Sequence, residues 1–90
     1  MAKQVKKKVE FTLDVSEATT VLLAADFTGW QQKPLVLSRQ RTGIWKLAVT
    51  LPTGAYQYRF LVDGQWMDDP ACKTRCLNEF GGENCVCRVL

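Results

Sequence analysis

Residues 45–66 read WKLAVTLPTGAYQYRFLVDGQW, and this stretch decides the fold class. Its first half places apolar residues at every second position from Trp45 to Leu51, and its second half does so from Tyr56 to Val62. Side chains of a β-strand point alternately to opposite faces, so each half predicts a strand with one buried face. Pro52-Thr53-Gly54 and Asp63-Gly64 follow the two runs, and both are turn sequences. The stretch therefore predicts consecutive antiparallel strands.

The same pattern extends outward in both directions. Shorter apolar or alternating runs occupy residues 9–14, 21–25, 34–37 and 84–90. No window shows the 3.6-residue period of an amphipathic helix. Many short strands with regular turns predict an all-β, antiparallel sandwich or barrel. Residues 68–83 contain one proline and two glycines without alternation, so we interpret them as one long connecting loop, and loops of that length are often functional.

Length and composition limit the possible classes of protein. The chain has 90 residues, enough for a single domain over 1–90, and its hydrophobic fraction of 47% favours a folded core over disorder. A net charge of +3 is too small to indicate a nucleic-acid partner. Residues 1–8 are basic and are expected to fray from the first strand. We see neither a secretory leader nor a run of about 20 apolar residues, so we expect no membrane partner and a cytoplasmic location.

The sequence lacks the residues that most enzymes use. It contains no histidine, the commonest general base and metal ligand, and it has no Gly-rich phosphate loop. Asp68 and Asp69 are adjacent, so on an extended chain they point to opposite faces and are poorly placed to share one scissile bond. We therefore expect no catalytic residues and no cofactor.

Two tryptophans next to turns suggest sugar binding instead. An exposed indole can cover the apolar C–H face of a glucose ring while neighbouring polar side chains bond its hydroxyls. Trp30 and Trp66 follow turn sequences, whereas Trp45 is in phase with the apolar face of its strand and is assigned to the core. Arg59 and Gln57 lie on the non-core face of their strand and supply hydrogen-bond donors. The alternative is that Trp30 and Trp66 are core residues, as tryptophan usually is.

The motifs around these residues resemble a known family. Residues 22–30, LLAADFTGW, are similar to its V-x-L-x-G-x-F-N-x-W segment, and residues 43–66 are similar to G-x-W…L-P-x-G-x-Y-x-Y-K-F-x-V-D-G-x-W. Residues 69–70 and 78–84 resemble D-P…N-x-F-G-x-x-N. The chain is identified by these motifs as a member of family 48 of the carbohydrate-binding modules. That family includes the glycogen-binding domain of the AMP-activated protein kinase β subunit and the early-set N-terminal domains of isoamylases and glycogen branching enzymes.

The resemblance implies an immunoglobulin-like β-sandwich that binds α-1,4-linked glucans such as glycogen, starch and maltooligosaccharides. The two tryptophans and the lysine of the family's sugar platform fall on Trp30, Trp66 and Arg59. Phe80 takes the place of a hydrophobic residue that enters the curve of the glucan. Asn84 matches a late asparagine that bonds sugar hydroxyls.

The resemblance also leaves an alternative open. Thr28-Gly29 stands where an asparagine pair is usual, and Gly82 stands where the kinase members carry a hydroxyl side chain. Some early-set domains have lost sugar binding, so the alternative function is a protein–protein interaction or packing module. The expected partners are an α-glucan and, beyond it, a glycoside hydrolase family 13 enzyme or a kinase.

Four cysteines, which the family does not require, lie in the last quarter of the chain. They are Cys72, Cys76, Cys85 and Cys87. Free, partly buried thiols are the first interpretation. Disulfides that join the late loop to the last strand are the second, and a four-thiolate zinc site with irregular spacing is the third. Either cross-link would fix the loop that carries Phe80.

Overall fold

The computed structural model describes residues 5–78 and 81–90. Within these ranges the chain forms nine β-strands and one short 3-10 turn at Asp26–Thr28. The strands are β1 (Lys6–Asp14), β2 (Val21–Ala25), β3 (Leu35–Val36), β4 (Ser38–Arg39), β5 (Ile44–Pro52), β6 (Gly54–Val62), β7 (Gln65–Met67), β8 (Arg75–Leu77) and β9 (Glu83–Val89).

These strands form two antiparallel sheets. The smaller sheet has the order β1-β5-β4, and the larger has the order β3-β2-β6-β9-β8, with β7 also paired to β6. The second half of β6 pairs with β2 on one side and with β7 on the other, while its first half pairs with β9. The predicted all-β antiparallel sandwich is confirmed, and β6 lies at the centre of the larger sheet.

The core lies between the two sheets because the inward residues of both are apolar. From the smaller sheet, Phe11 is 3% exposed, and its ring meets that of Tyr58 at 5.1 Å with an edge-on angle of 70°. Phe60 and Leu23 of the larger sheet are fully buried. Trp45 is 7% exposed, and its Nε1–H donates to the Val15 carbonyl at 3.1 Å. Trp45 is therefore a core residue, as the sequence predicts.

Two segments differ from the sequence-based expectation. The basic start was expected to fray, but Lys6–Lys8 pair with Thr50–Pro52 because β1 continues the register of its apolar part. The region 68–83 was expected to be one loop, but it contains β8, whose three residues pair with Glu83–Cys85. A three-residue strand is too short to show alternation, so the sequence pattern does not reveal it.

The alternation along β6 positions the polar side chains of the larger sheet. Tyr58 and Phe60 point into the core, so Gln57 and Arg59 point to the outer face. Leu61 is directly opposite Trp66 in the β6–β7 pairing, which places Trp66 on the same outer face. Over the ranges that the structure describes, no helix has the length and apolar character needed to cross a membrane.

Candidate functional site

One open depression lies on the outer face of the larger sheet, and we call it the outer-face concavity. Its volume is about 760 Å³, within the usual range for small-molecule sites. Its lining residues are Trp30, Gln31, Gln57, Arg59, Trp66, Leu77, Asn78, Gly82 and Asn84. Five of these nine belong to the carbohydrate-binding set predicted from the sequence. The remaining predicted residue, Phe80, lies outside the described residues.

Trp30 is presented by a tightly bonded turn. The Thr28 hydroxyl is buried, accepts the Ala25 N–H at 3.0 Å, and lies 2.9 Å from the carbonyl oxygens of Ala25 and Trp30. Gly29 and Trp30 both have positive φ, 66° and 58°. A tryptophan seldom adopts that conformation, so the bonds of Thr28 and the Trp30 N–H to Ala25 carbonyl bond of 2.9 Å stabilise it. The result is a half-buried indole at one end of the outer-face concavity.

Trp66 is held by the β6–β7 hairpin. Asp63 and Gly64 form its turn with φ values of 49° and 82°, which suits the right-handed twist of the two strands. The Asp63 carboxylate accepts the N–H groups of Thr19 at 2.9 Å and Thr20 at 2.8 Å. The turn is thereby tied to the start of β2. Trp66 itself is 41% exposed, so much of its indole is open to a ligand.

Arg59 connects Trp66 to a carboxylate. Its guanidinium carbon lies 5.5 Å from the centroid of the Trp66 ring, and its Nε donates to Asp68 at 2.9 Å. Arg75 donates to the other oxygen of Asp68 at 3.0 Å. These exposed or part-exposed ion pairs contribute little to stability, because solvent screens the charges. Their effect is geometric, because they restrict the guanidinium to the face of Trp66.

Amide groups also line the outer-face concavity. The Gly82 N–H donates to Asn78 Oδ1 at 3.0 Å, and Asn78 Nδ2 donates to Asn84 Oδ1 at 3.2 Å. Asn84, only 7% exposed, donates through Nδ2 to Gln57 Oε1 at 3.0 Å. The Gln57 N–H in turn donates to Asp26 at 3.1 Å, which links this strand to the Trp30 turn.

A second buried hydrogen bond supports the chain below the site. The Tyr58 hydroxyl donates to Asp69 at 2.7 Å, and Asp69 also accepts the Ala71 N–H at 2.9 Å. Burial first, and then the hydrogen bond to Asp69, raise the pKa of Tyr58 above its ordinary value. The Asp68-Asp69-Pro70 segment is thus a turn with its two carboxylates on opposite sides, as expected from their adjacency.

The four cysteines are free thiols in the structure. Cys85 is fully buried, and its pKa is raised to about 12 by burial and then by a hydrogen bond with the Cys72 thiol. Cys72 donates to the Thr74 carbonyl at 3.0 Å, Cys76 is opposite Asn84, and Cys87 is opposite Tyr56. In residues 5–78 and 81–90, no three or more Cys, His, Asp or Glu side chains are grouped to hold a metal.

This arrangement suits the binding of an uncharged ligand. Two indoles provide flat apolar surfaces, and one guanidinium and several amides provide hydrogen bonds at the rim. Two carboxylates beside the site are already committed, Asp68 to two arginines and Asp26 to a backbone amide. A neutral ligand with alternating apolar faces and hydroxyl edges matches these groups.

Sequence reasoning missed four lining residues. Gln31 follows Trp30 directly, and Gly82 was noted only for the side chain it lacks. Leu77 and Asn78 were placed in a loop without a role, although Leu77 is 80% exposed. The asparagine that opens the NEFGGEN motif was the available signal for Asn78, because asparagine side chains commonly bond nearby backbone groups in turns.

Comparison with known proteins is consistent with this geometry. Residues 8–90 match the family described as the glycogen recognition site of AMP-activated protein kinase. The 5'-AMP-activated protein kinase subunit beta-1 of Sus scrofa is 41% identical over 51 residues, covering 57% of this chain and 39% of the subunit. Protein PTST homolog 2, chloroplastic, of Arabidopsis thaliana is 36% identical over 55 residues, covering 61% and 10% of the two chains. The phosphoglucan phosphatase DSP4, amyloplastic, of Castanea sativa is 33% identical over 61 residues, covering 68% and 16%.

The aligned segments span well under half the length of these relatives, so the likeness concerns one module within larger proteins. The family match, in contrast, covers nearly all of this chain. It includes both tryptophan turns, the β6 strand and the late asparagine, which are the features that build the outer-face concavity. The chain therefore belongs to the family described as the glycogen recognition site of AMP-activated protein kinase, a family of carbohydrate-binding modules.

Proposed function

We propose that this protein binds α-1,4-linked glucans in the outer-face concavity by stacking Trp30 and Trp66 on the apolar faces of glucose units. Arg59 and Gln57 donate hydrogen bonds to the sugar oxygens at the rim. Phe80 remains the residue expected to enter the curve of the glucan. Asn84 remains the residue expected to bond sugar hydroxyls.

One observation supports this proposal most directly. Two tryptophans from separate turns line the same depression, and one of them is 41% exposed although burial would stabilise it. Both turns are held by buried or multiple hydrogen bonds, so the indoles are oriented before a ligand arrives. Such preorganisation reduces the entropy lost on binding.

Salt dependence follows from the charges of the site and of the ligand. Arg59 and Arg75 share the carboxylate of Asp68, which leaves one net positive charge, and an α-glucan has no charge to pair with it. We therefore expect glucan binding to depend weakly on salt, unlike the binding of an anionic polymer. A shallow, hydrated site of this kind has a dissociation constant on the order of 1 µM to 1 mM.

The biological role we propose is targeting. The relatives include a subunit of a protein kinase and a phosphatase named for phosphoglucan. A module that holds a glucan chain can bring such an enzyme, or a glycoside hydrolase of family 13, to glycogen or starch. Attachment to the polymer raises the effective concentration of the enzyme's substrate.

The test is a titration of the protein with β-cyclodextrin or maltoheptaose, followed by tryptophan fluorescence. We expect a saturable change for these α-linked sugars and none for cellohexaose, which has the same glucose units in β linkage. Trp66→Ala removes the more exposed indole and is expected to weaken binding by about 10-fold or more.

The control variant is Gln40→Ala, which changes an exposed residue of the turn before β5 and is expected to bind as the wild type does. No fluorescence change at about 10 mM of either sugar would overturn the proposal. The alternative function, a protein–protein packing module, would then take its place.

A further inference from the structure

A series of amide hydrogen bonds joins four lining residues of the outer-face concavity. It begins at the Gly82 backbone and continues through the side chains of Asn78 and Asn84 to Gln57. The three distances along it are 3.0, 3.2 and 3.0 Å. Sequence reasoning assigned no role to Asn78, and it treated Gln57 and Asn84 as separate contacts.

The first member sets the direction of the whole chain. A backbone N–H can only donate, so the Gly82 N–H must meet the oxygen of the Asn78 amide and not its nitrogen. Asn78 therefore turns its Nδ2 to Asn84, and that nitrogen meets the Asn84 oxygen. Asn84 then turns its own Nδ2 to the Gln57 oxygen.

The backbone at Gly82 lies close to the Asn78 amide. A Cβ at that position would lie 3.4 Å from Asn78 Nδ2, at the lower edge of ordinary van der Waals contact. Gly82 stands where the kinase members carry a hydroxyl side chain. Its backbone, rather than a side chain, contacts the Asn78 amide.

We propose that Asn78 is a positioning residue that sets the Gln57 amide so that its Nε2 faces the glucan as a donor. With the Gln57 oxygen bonded to Asn84, the two N–H groups of Nε2 have no partner within the described residues 5–78 and 81–90. The inference rests on the proposed function, because it concerns how the same site recognises its ligand.

The consequence is a donor-only strip next to the indoles. Arg59 has no acceptor atom, and its Nη groups are likewise without a partner in the part of the chain that the structure describes. Gln57 and Arg59 are both on the outward side of β6, two residues apart. Ligand oxygens at this strip must therefore accept hydrogen bonds, which hydroxyl, ring and glycosidic oxygens of a glucan do.

Asn78→Asp reverses the donor–acceptor direction of these hydrogen bonds with little change in side-chain shape. The new carboxylate still accepts the Gly82 N–H, but its second oxygen cannot donate to Asn84. The Asn84 amide then turns to donate to position 78 and offers its oxygen to Gln57. The Gln57 amide then rotates so that its Nε2 donates to Asn84, and its oxygen, an acceptor, faces the ligand instead of a donor. We expect the affinity for β-cyclodextrin to fall by about 10-fold.

A double-mutant cycle separates this effect from loss of structure or added charge. Gln57→Met keeps the side-chain length but removes the amide, so Asn78 has nothing to orient there. In that background we expect Asn78→Asp to change the affinity by less than about twofold. If Asn78 acted only through folding or through its charge, Asn78→Asp would lower the affinity by the same factor in both backgrounds. Thermal unfolding of each variant checks that the β8–β9 hairpin is intact.

The side-chain NH2 signals of Gln57 in a nitrogen-15 spectrum provide a second measurement. They are expected to shift on saturation of the wild type and, in the free protein, on Asn78→Asp. Suppose that the wild type binds β-cyclodextrin, but that Asn78→Asp lowers the affinity equally with and without Gln57, or that the Gln57 NH2 signals do not shift. The inference is then overturned and the proposed function stands. If the wild type does not bind at about 10 mM, the proposed function is overturned and the inference with it.

Discussion

Arg59 is held from two sides in the outer-face concavity. Its Nε is bonded to Asp68 at 2.9 Å, and its guanidinium lies 5.5 Å from the centre of the Trp66 ring. A lysine at this position would carry a compact charge without the planar fork, so it could not bond Asp68 side-on and cover the indole at the same time. We therefore expect the arginine to orient Trp66 as well as to donate to the ligand.

Arg59→Met tests this role, because it keeps an unbranched apolar stem and removes every donor. We expect the affinity for maltoheptaose to fall by about 10-fold, while stability changes by less than about 1 kcal/mol, since the ion pair is part-exposed. Fluorescence titration and urea unfolding give the two numbers. Arg41→Met, in the exposed turn before β5, is the matched control. Equal affinities for both variants would contradict a contact between Arg59 and the glucan.

At the scale of elements, the 3-10 turn Asp26–Thr28 depends on one hydroxyl. Thr28 is buried and bonds the backbone of Ala25 and of Trp30, on either side of the turn. Thr28→Val has the same shape but removes the hydroxyl that bonds the Ala25 N–H and the Trp30 carbonyl. We expect a loss of stability of about 1–3 kcal/mol and weaker glucan binding, because Trp30 is no longer fixed.

Thr53→Val, on an exposed turn, is the control and is expected to change neither quantity. Urea unfolding and β-cyclodextrin titration measure both variants. A Thr28→Val protein that loses stability but binds at full strength would show that the turn supports the fold and not the site.

The hairpin of β8 and β9 carries the cysteines, and burial there predicts their reactivity. The pKa of Cys85 is raised to about 12, so only about 1 in 10,000 of its thiols is ionised near pH 8. We expect iodoacetamide to modify Cys76, which is only partly buried, well before Cys85, and to reach Cys85 only in denaturant. Mass spectrometry of the alkylated peptides reports the order. Equal rates for the two thiols in the folded protein would contradict the burial of Cys85.

The strands and elements differ in how well the sequence predicts them. Alternation along β5 and β6 is long enough to assign both strands and their inward faces, and Trp45 follows from it. β8 has three residues, and it exists because Glu83–Cys85 pair with it, a long-range effect that no local pattern encodes. The positions of Trp30, Trp66 and Arg59 beside one concavity could be predicted from residue type and face. The bonds among Asn78, Asn84 and Gln57 could not, because they join side chains up to 27 positions apart.

At the scale of the whole molecule, two buried acidic groups limit stability at high pH. The pKa values of Tyr58 and Cys85 are both raised, in each case chiefly by burial. In the unfolded chain they titrate near about 10 and 8.5. Above these values the unfolded state binds fewer protons than the folded state, so stability is complete below about pH 8 and declines as pH rises toward 12.

Tyr58→Phe separates the contribution of the tyrosine. At neutral pH we expect it to cost about 1–3 kcal/mol, because Asp69 loses the hydroxyl that donates to it at 2.7 Å. Above about pH 10 the free energy of unfolding of the wild type falls, through Tyr58, by up to about 1.4 kcal/mol per pH unit. The difference in stability between the two proteins therefore narrows. Urea unfolding between about pH 7 and 11 measures this difference. Tyr56→Phe, which loses a hydroxyl bonded to the Pro52 carbonyl at 2.7 Å, is the matched control. A difference that stays constant up to about pH 11 would show that the proton on Tyr58 does not stabilise the fold.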